Sequence, residues 1–319
     1  MTPVRVTLIA GGVGGAKMAE GLSALPEVDL KIIGNIADDA EFHGLWVSPD
    51  IDTLTYTLAG LINRDQGWGQ ADEGRRALDT LARLGEDTWM FLGDRDFGLH
   101  IHRTHRLRNG EPRSTIAADV ARALGVKPTI ILPTDDVVQT RVRTDDGWLD
   151  FQTYFVRYKC APEVREITFR GIDAASPTAA ALSAIATADI VVIAPSNPLV
   201  SVAPILGIPG IRAAVRQTGA VRIAVSPLIG SKVVKGPADR MMVSLGHRTD
   251  AVGVAQLYRD ILDVMVIDQA DVGLSDAVMR LGMTVAATDI LMRDAADKRR
   301  LAAQVLDFAK KQTRQGTAA

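Results

Sequence analysis

Three groups of aspartates in the first hundred residues could do chemistry together. The groups are Asp38-Asp39, the pair Asp50 and Asp52 within Ser48-Pro49-Asp50-Ile51-Asp52-Thr53, and Gly93-Asp94-Arg95-Asp96. Carboxylates at this density are costly in a folded interior unless a cation neutralises them. Mg²⁺ prefers one or two carboxylates together with substrate phosphates and water. The pattern therefore predicts a divalent metal or catalytic role for at least one of Asp38, Asp39, Asp50 and Asp52.

A glycine-rich turn precedes these aspartates and contains Gly11, Gly12, Val13, Gly14, Gly15 and Lys17. It departs from the dinucleotide fingerprint, because Lys17 stands where the third glycine belongs and the second strand ends in Gly34-Asn35 without an acidic residue. It also lacks the spacing of a Walker loop. A tight turn without a ligand is one explanation, and a diphosphate held by N–H groups at a helix start is another. Four glycines exceed what a tight turn needs, so we expect phosphate binding.

The segment from Gly93 to Arg113 is locally basic and also contains His100, His102 and His105. A solvated helix face is the ordinary explanation for most of these charges. A spacing of two and then three residues spreads the histidines around a helix, so a zinc triad is not expected. Arginines in this segment would suit a phosphorylated partner.

Helix capping is a second explanation for several of the polar residues. Asp50 or Asp52 could cap a helix expected from about Thr53, and Ser196 or Asn197 could cap the helix after the apolar strand at 190–194. Capping leaves Asp38-Asp39 unexplained. Ser196 and Asn197 also follow the carboxyl end of a core strand, where α/β proteins hold nucleotides.

The elements that must position these groups alternate between strands and helices. Apolar runs predict strands at residues 4–10, 30–34, 129–132, 190–194, 221–225, 264–267 and 284–287. Helices are expected at residues 15–24, 52–61, 72–84, 179–188, 211–217 and 294–311. The predicted fold class is α/β, with a Rossmann-like, doubly wound, mostly parallel sheet and helices on both of its faces.

Residues 62–170 fit this alternation poorly and include a hairpin signal at Asp145-Asp146-Gly147. We therefore expect residues 1–61 and 171–319 to form a nucleotide-binding core. Residues 62–170 are expected to form an inserted subdomain of helices and a hairpin that completes the active site.

Composition argues against several classes of partner. The 319 residues carry a formal net charge of −2, which gives no footprint for nucleic acid. The single cysteine, Cys160, excludes an intrachain disulfide, fits a reducing cytoplasm and is more often structural than catalytic. The long apolar region at 178–211 is interrupted by Asp189 and four prolines, so no membrane span is expected.

These segments together resemble the CofD and FbiA family of transferases of coenzyme F-420 biosynthesis. The resemblance covers nearly the whole chain. It rests on a set of short segments in the family's order: Ala10 to Lys17, Asn35 with Asp38-Asp39, Ser48 to Thr53, Gly67-Trp68-Gly69, Leu92 to Asp96, Ala194 to Pro198 and Ser226 to Gly230.

The resemblance implies a reaction that requires Mg²⁺. Such enzymes take a guanosine-diphosphate-linked hydroxy or enol acid and move its distal phosphoryl group, with the acid attached, to the side-chain hydroxyl of the deazaflavin FO. GMP leaves. The acid could be of the 2-phospho-L-lactate, phosphoenolpyruvate or glycerate type, and a homodimer is expected. Members from methanogens carry a lysine at the position of Phe91, so only backbone contact with FO is expected there.

The same resemblance and the spacing together suggest roles for individual residues. The glycine turn, Ser196 and Asn197 would hold the guanosine diphosphate, and Asp39 and Asp50 would bind Mg²⁺. Asp52 would touch FO and orient its hydroxyl or accept its proton, and Arg95 would face the transferred phosphoryl group or the acid carboxylate. The other expected substrate-binding residues are Lys17, Asn35, Thr53, Phe91, Gly93 and Asp94.

Two other classes of function stay open at this point. A regulator of the same fold could bind a nucleotide sugar without turnover, although it would not need Asp52 or the Gly93-Asp94-Arg95-Asp96 segment. A nicotinamide oxidoreductase is disfavoured by Lys17 and by the missing acidic residue for the ribose.

Overall fold

The computed structural model describes residues 2–317, which form fourteen strands and twelve α-helices. The strands are β1 (Val4–Ala10), β2 (Val28–Gly34), β3 (Ala40–Phe42), β4 (Leu45–Val47), β5 (Thr129–Ile131), β6 (Gln139–Thr144), β7 (Gly147–Asp150), β8 (Glu166–Arg170), β9 (Ile190–Ile193), β10 (Val221–Val225), β11 (Leu228–Ile229), β12 (Lys232–Val233), β13 (Val264–Asp268) and β14 (Thr284–Thr288). The helices are α1 (Gly12–Ser23), α2 (Pro49–Leu58), α3 (Arg76–Arg83), α4 (Asp94–Arg108), α5 (Arg113–Ala123), α6 (Ala179–Ala186), α7 (Ala203–Gly207), α8 (Ile211–Gln217), α9 (Ala238–Ser244), α10 (Ala251–Tyr258), α11 (Ser275–Met279) and α12 (Ala295–Thr317).

A seven-stranded parallel sheet forms the centre of the molecule, with the strand order β14-β13-β10-β9-β1-β2-β5. Its inner strands are mostly buried because helices cover the sheet, and α1 packs against both α2 and α12. The strand order reverses direction between β9 and β1, which makes this the switch point where α/β folds bind ligands. The predicted doubly wound α/β fold is confirmed.

The register of the three middle strands brings their carboxyl ends to one edge. Ala10 pairs with Gly34, and Ile9 pairs with Ile193. The backbone N–H of Asn35 donates to the Ala10 carbonyl at 2.9 Å, and that of Ala194 donates to the Ile9 carbonyl at 3.0 Å. Three segments that are far apart in the sequence therefore begin their loops side by side.

The segment 62–170 contributes more to the centre of the fold than we expected. Strand β5 lies at the edge of the main sheet, where Ile130 and Ile131 pair with Ile32 and Ile33 of β2. The rest of the segment supplies α3, α4 and α5 and the hairpin of β6 and β7, which continues into β8 as a three-stranded antiparallel sheet. Buried isoleucines explain why β5 joins the core even though the surrounding sequence lacks the α/β rhythm.

Two helices near the switch point begin earlier than the sequence predicted. Helix α1 begins at Gly12, so the glycine-rich segment forms the first turn of that helix. Helix α2 begins at Pro49, because proline is favoured in the first turn, where its missing N–H is not needed. Asp50 and Asp52 therefore lie inside the first turn of α2, and the expectation that one of them caps the helix is wrong.

The structure also bears on two expectations from composition. Cys160 is buried, and burial raises the pKa of its thiol to about 11. Between residues 2 and 317 no single helix is long and apolar enough to cross a membrane, although Pro198–Gly207 and Ile211–Gln217, joined at a bend of 87°, satisfy the length and composition criteria as a pair.

Candidate active site

A cavity of about 810 Å³ opens at the carboxyl ends of β1, β2 and β9. This volume suits a ligand of nucleotide size. Its walls come from the glycine-rich start of α1, the first turns of α2 and α4, the loop at 226–238 and the segment at 290–293. The inserted segment 62–170 contributes Trp68, the residues 89–92 and the region 151–156 to the same cavity. Residues of the predicted core and residues of the predicted insertion therefore line one site.

Tight packing accounts for three of the four glycines at the start of α1. A β-carbon on Gly14 would lie 2.2 Å from the Pro195 carbonyl oxygen, and one on Gly11 would lie 2.7 Å from Asp50 Oδ2. A β-carbon on Gly15 would lie 2.9 Å from the Ala10 β-carbon. Gly12 has a φ of +62°, which glycine adopts without strain. Gly11, Gly12, Val13 and Gly14 still face the cavity, whereas Gly15 lies behind them.

Lys17, Ser196 and Asn197 also line this part of the cavity, as the sequence predicted. The Lys17 ammonium donates to the Met292 carbonyl at 2.9 Å. The Ser196 hydroxyl donates to the Gly11 carbonyl at 2.7 Å and so ties the two loops together. The Asn197 side chain accepts from the Leu199 N–H at 2.9 Å, which is the capping role that the sequence offered as an alternative.

Asp38 and Asp50 are the acidic pair that faces the cavity. Both are buried, and neither forms an ion pair with a side chain in the described part of the chain. Burial raises the pKa of Asp50 to about 6, although Asn35 Nδ2 donates to its Oδ2 at 3.0 Å. Burial, followed by the charges of Asp50 and Asp39, raises the pKa of Asp38 well above its usual value. Two buried carboxylates with such pKa values are the kind of site that a cation stabilises.

This pair fits Mg²⁺, since the ion prefers hard oxygen ligands and often takes only two from the protein. Among the described residues, no group of three or more His, Cys, Asp or Glu side chains is arranged to hold a metal ion. A magnesium ion at Asp38 and Asp50 would therefore depend on substrate phosphates and water for its other ligands.

Asp39, the expected partner of Asp50, lies behind the cavity wall and does not line it. Its Oδ2 accepts from the Ser48 hydroxyl at 2.8 Å and from Trp46 Nε1 at 3.1 Å. Its Oδ1 is buried without a hydrogen-bond partner among the described residues. Burial raises the pKa of Asp39 to about 7, against the opposing effects of Ser48, Arg103 and Arg113. The structure thus brings Asp38, rather than Asp39, to the cavity beside Asp50.

Asp52 faces the cavity and forms a buried ion pair with Arg103 of α4. The guanidinium donates to both carboxylate oxygens, with Arg103 Nη1 at 3.1 Å from Asp52 Oδ2. Arg103 Nη1 also lies 3.3 Å from His100 Nδ1. Burial, together with the nearby guanidinium and against the attraction of Asp52, lowers the pKa of His100 to about 4. Since arginine only donates, the neutral imidazole accepts at Nδ1 and carries its proton on Nε2.

A second buried network lies beside the first. The Tyr56 hydroxyl donates to Asp96 Oδ1 at 2.8 Å, and both residues line the cavity. Burial raises the pKa of Asp96 to about 6, and the charges of Glu73 and Asp52 act in the same direction. The segment containing Asp96 was expected at the site from the sequence, but its spacing does not distinguish this aspartate from Asp94.

The other residues of Gly93-Asp94-Arg95-Asp96 build the junction of α3 and α4 instead of the cavity wall. Asp94 accepts from the Ala77 N–H at 2.9 Å at the start of α3, and Glu73 accepts from the Arg95 N–H at 2.9 Å at the start of α4. The exposed Arg95 side chain donates to the Ala71 carbonyl at 2.9 Å. Gly93, Asp94 and Arg95 do not line the cavity, so the geometry does not support the expected contacts of these three residues with substrate.

An aromatic wall forms part of the same cavity. Its members line the cavity and are Trp68, Trp89, Phe91, Phe151 and Phe155. Phe151 and Phe155 are stacked with centroids 5.6 Å apart, and Trp68 meets Phe91 edge to face at 6.5 Å. Flat apolar side chains of this kind suit a fused aromatic ring. Of the five, only Phe91 was expected at the site.

Thr53 also lines the cavity, and Asn35 lies behind Asp50 as its hydrogen-bond donor.

The parallel sheet, the cavity at its switch point and the polar groups that converge there define an α/β protein of the nucleotide-binding type. Comparison with known families makes this more specific. The model of the 2-phospho-L-lactate transferase CofD family matches residues 6–306, and the chain belongs to this family. The resemblance drawn from the sequence motifs is confirmed.

Relatives of two kinds match almost the whole chain. A 2-phospho-L-lactate transferase of Methanopyrus kandleri is 40% identical over 307 residues, which cover 95% of this chain and 97% of that protein. A phosphoenolpyruvate transferase of Streptomyces griseus is 37% identical over 313 residues, which cover 96% of this chain and 98% of that protein. A crystal structure of a UPF0052 family protein from Bacillus halodurans has the same fold, with a TM-score of 0.67 at 16% identity over 96% of this chain and 99% of that one.

Proposed function

We propose that the protein transfers a phospho-acid group from a guanosine-diphosphate-linked donor to the side-chain hydroxyl of FO in coenzyme F-420 biosynthesis. The transferred group is of the 2-phospho-L-lactate or phosphoenolpyruvate type, and GMP is released. Relatives named for both types of transfer support this proposal. The observation that carries it is a single cavity that joins a phosphate-type helix start to an aromatic wall through buried carboxylates.

Two different sets of residues in this cavity suit the two substrates. The N–H groups of Gly12, Val13 and Gly14 at the start of α1 and the ammonium of Lys17 suit the diphosphate. Ser196 and Asn197 lie beside them and would complete the nucleotide side. The aromatic wall suits the deazaflavin ring, and its apolar side chains exclude water from the ring.

The transfer is an attack by the FO hydroxyl oxygen on the distal phosphorus of the donor. A new oxygen–phosphorus bond forms as the bond from that phosphorus to the GMP oxygen breaks, and GMP keeps the electron pair. Asp52 would accept the hydrogen bond of the FO hydroxyl and take up its proton during the attack. The Arg103 guanidinium fixes the orientation of this carboxylate, which leaves the remaining lone pairs of its oxygens for the substrate.

Mg²⁺ is the cofactor that the proposed reaction requires, and Asp38 and Asp50 would hold it. When bound, the ion would neutralise the charge on the phosphate groups and favour in-line attack. Asp39 remains a candidate ligand from the sequence, but it does not line the cavity and its Oδ2 already accepts from Trp46 and Ser48, so Asp38 is the better one. A homodimer and a cytoplasmic location remain predictions.

Mass spectrometry of FO tests the proposal directly. Purified protein, Mg²⁺ and FO are incubated with the guanosine-diphosphate derivatives of lactate, enolpyruvate and glycerate in separate reactions, so that the distal phosphate becomes the phosphate of the transferred group. We expect a product mass from at least one donor and an equal amount of GMP. If the folded protein forms no product with any donor and binds a nucleotide sugar tightly, it is a nucleotide-binding regulator and the proposed transfer is wrong.

Asp52→Asn provides the second test. It should lower kcat by about 10²- to 10⁴-fold, as loss of a general base does. Asp173→Asn changes an exposed aspartate outside the cavity and serves as the matched control. Near-normal turnover of Asp52→Asn in a well-folded protein would rule out the role of Asp52 as the base.

A further inference from the structure

Two lysines, Lys17 and Lys235, face the cavity near the glycine turn. Lys17 lies in α1, and Lys235 follows the short hairpin of β11 and β12. Neither ammonium forms an ion pair with a carboxylate in the described part of the chain. The Lys17 ammonium donates to the Met292 carbonyl, and the Lys235 ammonium donates to the Gln66 carbonyl. Both cations are therefore held by single neutral acceptors.

Lys235 comes close to the glycine turn through the Gly67-Trp68-Gly69 segment. A β-carbon on Gly67 would lie 2.9 Å from Val13 Cγ1 and 3.4 Å from Lys235 Nζ. Gly67 has a φ of +77°, which lets the chain turn sharply at this point. Trp68 and Gly69 line the cavity. The segment thus fits between the turn and the exposed lysine.

The charge arrangement is unfavourable without an anion. Burial lowers the pKa of Lys17, and the charges of Lys298 and Lys235 lower it further, while Glu20 acts in the opposite direction. Lys298 already has a partner, because its ammonium lies 2.7 Å from Glu20 Oε2. The positive charge that lacks a carboxylate partner near the turn is therefore that of Lys17 and Lys235. A phosphate oxygen is a stronger acceptor for an ammonium than a peptide carbonyl, so a diphosphate would compete well for both lysines.

We propose that Lys235 binds the distal phosphate of the nucleotide donor and moves from the Gln66 carbonyl to do so. Lys17 and Lys235 then hold the diphosphate from two sides, and the Gly67-Trp68-Gly69 segment sets the distance between them. This inference rests on the proposed function, because it places the diphosphate at the glycine turn. It adds a residue that no motif of the sequence indicated, and this residue lies on a loop with its side chain exposed.

Calorimetric titration with GDP and with GMP tests the inference. Lys235→Met should weaken GDP binding on the order of 10- to 100-fold, the range for losing a charged hydrogen bond, and should weaken GMP binding much less. The preference of the protein for GDP over GMP should therefore fall. A merely structural role of Lys235 would weaken both nucleotides alike and leave this preference unchanged.

The matched control is Lys232→Met on the same hairpin. The Lys232 side chain is 82% exposed, lies 3.9 Å from Asp239 Oδ2 and does not line the cavity. Lys232→Met should leave the affinities for GDP and GMP unchanged. Compared with Lys235→Met, Lys235→Arg should restore most of the preference for GDP. Equal binding of GDP by the wild type and Lys235→Met would overturn the inference and leave the proposed function intact. A wild type that binds no GDP at all would overturn both.

Discussion

Arg103 is the buried cation on which the orientation of Asp52 depends. Both side chains are almost fully buried, and the guanidinium contacts both oxygens of the carboxylate. Arg103→Met should destabilise the protein by about 3–5 kcal/mol, because the carboxylate would be left buried without a partner. The measurement is urea denaturation of the two single variants and of the double variant Arg103→Met/Asp52→Asn. The double variant should lose much less stability than the two single losses added together, and simple additivity would contradict the pairing.

Asp96 gives the protein a pH dependence that can be isolated by mutation. Burial raises its pKa to about 6, so the folded state holds this proton more tightly than the unfolded state does. The free energy of unfolding should therefore fall as the pH rises from about 4 to 6. Asp96→Asn cannot ionise, so it avoids this fall in the free energy of unfolding, and its amide oxygen can still accept from the Tyr56 hydroxyl. The variant should therefore be about 1–2 kcal/mol more stable than the wild type at pH 7.5.

The comparison requires thermal or urea denaturation at pH 4 and at pH 7.5. At the lower pH the wild type and Asp96→Asn should be nearly equal in stability. Asp79→Asn, which changes an exposed aspartate on α3, should show no such difference between the two pH values. A constant stability difference between Asp96→Asn and the wild type across this range would contradict the assigned pKa shift.

The sequence indicated the site residues that lie in dense local patterns, and it missed those that meet only through the fold. Asp50, Asp52, Lys17 and the glycine turn were expected because their spacing along the chain is itself the signal. Which of Asp38 and Asp39 faces the cavity depends on the short loop after β2, and no spacing encodes that choice. The remaining groups are separated by up to a hundred residues. They are Tyr56, His100, Arg103 and four of the five aromatic side chains, whereas Asp96 belongs to a segment that the sequence did indicate.

At the scale of elements, helix α1 is held close to its neighbours by glycines as well as by apolar side chains. A β-carbon on the buried Gly21 would lie 2.3 Å from the Lys298 carbonyl oxygen of α12. Gly21→Ala should therefore destabilise the protein by about 2 kcal/mol, because two packed helices must separate. Gly98→Ala is the control, since Gly98 lies in α4 with nothing within 4 Å of its β-carbon position.

Urea denaturation distinguishes the two alanine substitutions. Gly98→Ala should raise the free energy of unfolding by about 0.5–1 kcal/mol, because alanine favours the helix over the unfolded chain. Gly21→Ala should lower it despite the same gain in helix propensity. Stabilisation by both substitutions would show that α1 and α12 are free to move apart at no cost.

Apolar strands were the elements most readily predicted from sequence. All seven expected strands belong to the central sheet, because buried parallel strands are rich in apolar residues. The starts of α1 and α2 were misplaced by about three residues, since glycine and proline at a helix start resemble a loop in the sequence. The place of β5 in the sheet could not be predicted, because it depends on pairing with β2 across almost a hundred residues.

At the scale of the whole molecule, we expect the stability of the protein to depend on divalent cations through Asp38 and Asp50. The pair is buried without a cationic partner among the described residues, so an ion that binds only the folded state should stabilise it. At a free Mg²⁺ concentration of about 100 times its Kd, the stabilisation should be about 2.7 kcal/mol, and the melting temperature should rise by a few degrees.

Differential scanning calorimetry with Mg²⁺ alone checks this expectation without any assay of activity. Asp50→Asn should abolish most of the rise in melting temperature, and Asp173→Asn should leave it unchanged. An equal rise in the wild type and Asp50→Asn would assign the effect to a different magnesium site.

The cavity wall joins Gly11 near one end of the described chain to Met292 and Arg293 near the other. A ribosome releases the first of these long before the last, by about a quarter of a minute to a minute at about 5–20 residues per second. For that whole interval the nascent chain has a glycine turn but no enclosed site around it. A ligand of this cavity cannot then stabilise the growing chain in the way that it would stabilise the finished protein. The strands of the central sheet that have already been made must then hold together by their backbone pairing and apolar contacts, without help from a bound ligand.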